Sequence, residues 1–93
     1  MAGKTDPPAS GSGVAHAARL LRAADWQAAH RIVQDDESEL GCWAHGIVHI
    51  LEGDLDNARY WYRRARRRFP GAAAAGAEIE ALARAAAHAG GRT

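Results

Sequence analysis

The chain has one cysteine, Cys42, so no intrachain disulfide can form, and a lone thiol fits a reducing compartment. It has no apolar run approaching the roughly 20 residues that span a bilayer. Its opening residues, a lysine followed by Asp6, Pro7-Pro8 and Gly/Ser, contain no apolar stretch of the kind a secretory signal needs. A cytoplasmic protein without a membrane partner is the expectation. Net charge is also missing: 12 Lys and Arg against 11 Asp and Glu leave +1, so overall electrostatics select no partner. There is no Ser/His/Asp arrangement, no CxxC pair and no Gly-rich phosphate loop. β-Branched residues are few, and the abundant alanine and arginine favour helix over strand.

What is present is helical punctuation. Residues 1–13 read as a flexible lead-in, because Pro7-Pro8 blocks helix and Gly11–Gly13 offers no face to bury. From Val14 the pattern is amphipathic: Val14, Ala17, Ala18 and Leu21 share one side. Asp25 is placed to cap a second helix through Gln34, with Trp26, Ala29, Ile32 and Val33 as its stripe. The acidic run Asp35–Glu39 interrupts, and Ser38 can cap a third helix to about Glu52. Gly53 suits the left-handed position that closes it, and Asp54 or Asp56 opens a fourth. That helix, carrying Ala58, Trp61, Tyr62, Ala65 and Phe69, is expected to run to Pro70-Gly71. A fifth, about 72–89, has Ile79, Leu82 and Ala86 as a thin apolar edge. The organisation is therefore one all-α domain over 14–89, with 90–93 as a flexible tail.

An offset of 29 residues places His16 on His45, Leu21 on Ile50, Ala24 on Gly53, Asp25 on Asp54 and Ala29 on Ala58. The shared chemistry is helix, small-Asp turn, helix, with a small residue four after the aspartate. Residues 39–70 resemble a tetratricopeptide repeat. The features that carry this are Gly46 in the first helix, Gly53-Asp54 at the turn, Ala58, Tyr62 and Ala65 in the second helix, and Pro70 at the end. Residues 14–34 resemble a shortened repeat. The resemblance implies antiparallel helical hairpins, about two degenerate repeats with 72–89 as a capping helix. Where that family usually has Trp, Leu and Tyr along its first helix, this chain has Cys42 (with Trp43 beside it), His45 and His49. The string from Ala29 to Arg64 (AHxxxQDD, WxHxxxH, EGDxxNAxYW) also resembles a family of small uncharacterised bacterial and fungal proteins.

His45 and His49 lie one turn apart on one helix face, with Glu52 three further along. Two imidazoles so spaced can share a tetrahedral metal ion, and a divalent metal is the one cofactor the residues suggest, with His45, His49 and Glu52 as candidate ligands. His30, Asp35 or Cys42 are available to complete the set, and Trp43 and Asn57 to line a small-ligand site. Gly46 follows His45, so the glutamate base of the zinc-protease motif is absent. The plainer alternative is a structural polar network with the histidines bonded to Asn57, Tyr60, Tyr62 or backbone. An unpaired buried ring nitrogen costs roughly 1–3 kcal/mol, so a partner is required either way.

Arg59, Arg63, Arg66 and Arg67 fall on one face of the expected fourth helix and, with nearby aromatics, could follow phosphates. A solvated helix end paired with the acidic run is the plainer account, and near-neutral net charge makes nucleic acid an improbable partner. A lone Cys42 near His45 is too little for a nucleophile. The reading preferred from sequence is a non-catalytic helical module that binds a protein or peptide. Alternatively it pairs with itself, through the amino-terminal hairpin or the alanine-rich last helix. The competing reading is a metal- or small-ligand-binding protein centred on the histidines.

Overall fold

Three helix starts are set by a short polar side chain. Asp25 accepts the Ala28 N–H at 3.2 Å and opens α2 (Trp26–Val33). Ser38 accepts the Gly41 N–H at 2.9 Å and opens α3 (Glu39–Glu52). Asp54 accepts the Asn57 N–H at 3.3 Å and opens α4 (Leu55–Arg64). These bonds satisfy donors that a helix leaves free in its first turn.

Three helix ends are closed by one device. After α1 (Ser10–Arg22), the Asp25 N–H reaches the Leu20 carbonyl and the Ala24 N–H reaches Leu21. After α3 the Asp54 N–H reaches His49 and the Gly53 N–H reaches Ile50. After α4 the Arg67 N–H reaches Tyr62 and the Arg66 N–H reaches Arg63. The paired bonds are the Schellman closure, which needs a left-handed residue in the turn. Ala24 (φ +65°), Gly53 (φ +91°) and Arg66 (φ +63°) occupy it. The first two closures run straight into an aspartate cap, so the offset seen in the sequence is a repeat of junction geometry.

The computed structural model describes residues 10–90, and these are all-α: α1 to α4, a 3-10 turn at Ala72–Ala74, and α5 (Ala75–Gly90). Residues 1–9 and 91–93, read above as parts of the lead-in and tail, lie outside the described residues. The fifth helix opens with the 3-10 turn and becomes α-helical only at Ala75, and two boundaries differ further from the sequence reading. α1 opens at Ser10 rather than Val14, because first-turn N–H groups need no intrahelical partner. α4 stops at Arg64 rather than Phe69, because the closure at Arg66 turns the chain before proline is reached.

Helix α3 is the axis of the fold. Every residue from Gly41 to Val48 is buried, and it touches α1, α2, α4 and α5. A helix surrounded in this way must be apolar on all sides. Gly46 allows α4 its close approach: a Cβ there would sit 2.5 Å from Tyr62 Cδ1. Along α1 the buried residues are Val14, Ala17, Ala18 and Leu21, as periodicity predicts. α5 returns along α1 and also meets α3, burying Ile79, Leu82 and Ala86. The two edges suggested for self-association therefore cover one another within the chain. The Arg22–Glu80 ion pair at 2.7 Å bridges the same two helices at the surface.

A polar knot joins three helices at the far side of α3. Glu78 of α5 accepts from Trp43 Nε1 at 2.9 Å and from the Tyr62 hydroxyl at 2.7 Å, both on Oε1. Burial, followed by the Glu78 bond and charge, holds the Tyr62 hydroxyl well above the ordinary tyrosine range. The Arg67 guanidinium lies 3.5 Å from the Trp43 ring centroid, and Phe69 meets Tyr62 edge-on at 5.5 Å.

Candidate metal centre

Within the enclosed stretch of α3, His45 is the one buried polar side chain among the described residues, at 4% exposure. Its ring lies nearly parallel to Trp61 of α4, with centroids 3.8 Å apart and planes 9° from parallel. That stack accounts for the ring but not for its nitrogen. Nδ1 is buried and has no hydrogen-bond partner among the described residues. Burial, then the neighbouring His49, His30 and Arg64, lowers the His45 pKa from 6.5 to about 3, so the imidazole is neutral at physiological pH. A neutral imidazole is the form that ligates metal.

Two more histidines converge on it. His49 lies one turn along α3, with ring centroids 5.0 Å apart and planes 25° apart. His30 arrives from α2, 4.8 Å from His45 and 5.8 Å from His49, edge-on to both. The three offer one ligand nitrogen each within 4.8 Å of one another. A tetrahedral ion at about 2.1 Å would hold its nitrogens roughly 3.4 Å apart, closer than that spread. An all-imidazole set suits zinc, copper or nickel rather than the oxygen-seeking magnesium or calcium.

A second group, His49, Glu52 and Asp54, also has ligand atoms within that distance. Its two carboxylates are already engaged, one outside the group and one within it. Asp54 caps α4 and accepts from the Asn57 side chain at 2.9 Å, and that bonding holds its carboxyl below the usual range. Glu52 Oε1 meets His49 Nδ1 at 2.7 Å.

Several sequence expectations change here. His30 enters the site as a full member. Trp43 does not: its indole turns to Glu78 on another helix. Asn57 serves the Asp54 cap and bonds neither histidine, and no bond to Tyr60 or Tyr62 satisfies His45. Cys42 and Asp35 belong to neither cluster; burial raises the Cys42 thiol, which disfavours the thiolate form. The basic patch dissolves as a helix face, since Arg66 and Arg67 lie past the end of α4. Arg66 pairs with Glu39 at 3.3 Å, Arg67 stacks on Trp43, Arg59 lies 4.9 Å from the Phe69 ring centroid, and Arg63 is exposed. Sequence reasoning missed Glu78 and the stacking role of Trp61. A signal for the first existed, because a buried Trp and Tyr each require an acceptor.

No family model, no curated protein and no solved structure matches this chain. No helix among the described residues is long and apolar enough to cross a membrane.

Proposed function

We propose that this chain binds a late first-row divalent metal, with zinc as the reference ion, through His30, His45 and His49. The ion would join α2 to α3 and so tie the first helix pair to the second. The observation that carries this reading is a buried, neutral His45 with an unpartnered ring nitrogen, gathered with His30 and His49 so that one nitrogen of each lies within 4.8 Å of the others. A structural network would have satisfied that nitrogen with protein partners. A metal ligand keeps its lone pair free until the ion arrives.

The test is zinc titration of the metal-free protein followed by thermal unfolding. At a free zinc concentration 100 times Kd the folded state gains about 2.7 kcal/mol. For a domain of this size that raises Tm on the order of 10–20 °C. His49→Ala should keep its far-UV helical signal and lose the shift. Absence of a saturable shift with zinc, nickel and copper alike overturns the reading.

A second reading, a protein-interaction module, is favoured by the outer side of α4. Tyr60 is 43% exposed there, the large hydrophobic left most open among the described residues. Arg63 and Arg68 are exposed and form no ion pair among those residues. Sedimentation that stays monomeric at high concentration removes self-association from this reading.

A further inference from the structure

We infer that Glu52 is a positioning residue for the proposed metal site, setting the His49 tautomer so that Nε2, and not Nδ1, is the ligand atom. The inference rests on the metal reading and deepens it. It begins with the single short contact at the site, His49 Nδ1 to Glu52 Oε1 at 2.7 Å. An ionised carboxylate has no proton to give, so the shared hydrogen resides on Nδ1. In its neutral form the ring then carries its lone pair on Nε2. The proton position of an imidazole is fixed by the bond its other nitrogen makes, and here only one nitrogen has such a partner.

The placement suits the task. His49 and Glu52 are three residues apart in the last turn of α3, where i and i+3 side chains meet. The His49 side chain is 12% exposed and that of Glu52 is 37%, so the carboxylate stands on the solvent side of the ring. Metal-ligating histidines commonly donate their other N–H to a carboxylate, which fixes the ring and makes it a better donor. Glu52 thus moves from candidate ligand to the group behind a ligand. Asp54, the other carboxylate nearby, is held by Asn57 and does not compete for the ring.

Glu52 is exposed at a helix end, so its variants are expected to fold. In the metal-free protein labelled with 15N-histidine, long-range 1H–15N spectra should show His49 as the Nδ1–H tautomer. Glu52→Gln keeps an acceptor oxygen and should keep that tautomer; Glu52→Ala should lose it. Cobalt(II) titration should then give an affinity about 10- to 100-fold weaker for Glu52→Ala and within a few-fold of wild type for Glu52→Gln. The visible cobalt bands should be unchanged in form, because no ligand is removed. Equal tautomer and equal affinity in Glu52→Ala overturn the assignment, as does a change in the cobalt bands, which would make Glu52 a ligand. If the wild-type protein binds cobalt and Glu52→Ala binds it equally, positioning fails while the metal reading stands. If the wild type binds neither cobalt nor zinc, the metal reading itself fails, and the tautomer result separates the two outcomes.

Discussion

Acidifying the metal-free protein from pH 7.5 to 5 should expose His45 as a group that the fold holds neutral against its preference. The folded pKa is about 3 and the ordinary value is 6.5. Between these values the unfolded chain binds a proton that the folded chain refuses, so stability is fully present above pH 6.5 and declines as pH falls toward 3. At about 1.4 kcal/mol per pH unit, the loss from this residue reaches roughly 2 kcal/mol by pH 5. Stopping at pH 5 avoids the carboxylates, whose low-pH losses at Asp54 and Glu80 begin below that point. The comparison protein is His45→Phe, which keeps a flat ring against Trp61 and cannot titrate. Its repacking cost, of either sign, is the same at both pH values and cancels in the difference. Urea unfolding followed by circular dichroism, with a chelator present, gives the four free energies needed. The wild type should lose about 2 kcal/mol more than His45→Phe on acidification. Equal losses in the two proteins would refute the claim that His45 is desolvated and unsatisfied.

Two further outcomes follow from the packing. Glu78→Ala strips the shared acceptor from buried Trp43 and Tyr62 and should cost about 2–5 kcal/mol, whereas Glu80→Ala breaks a solvent-exposed ion pair and should cost far less. Urea midpoints that match for the two variants would remove the knot as a structural element. Ala24→Gly relieves a left-handed alanine and should raise stability by up to about 1 kcal/mol, while Gly53→Ala at the equivalent junction should lower it by a similar amount. Thermal melts that move both variants in the same direction would contradict the shared closure.

The helix boundaries that were legible share one property: their signals act within a few residues. Asp25, Ser38 and Asp54 cap because each oxygen reaches an N–H three positions ahead. The buried stripe of α1 is legible because periodicity repeats within the helix. The premature end of α4 was not, since an arginine in the left-handed position carries none of the marks of glycine. The candidate site divides the same way. The pairing of His45 with His49 follows from one turn of helix, and so does the contact of Glu52 with His49. The arrival of His30 depends on how α2 lies against α3, and the departure of Trp43 on a glutamate 35 residues away.

By itself, then, the sequence determined an all-α chain, its repeated helix–aspartate junction and a pair of histidines on one helix face. Capping and periodicity are local chemistry and are written in neighbouring residues. Tertiary packing decided that α5 folds back on α1, that Glu78 closes the knot around Trp43 and Tyr62, and that a third imidazole meets the pair. It also decided that His45 is sealed against Trp61 with a nitrogen unpaired. Burial is a property of what surrounds a residue, and for His45 the surroundings come from helices distant in the chain.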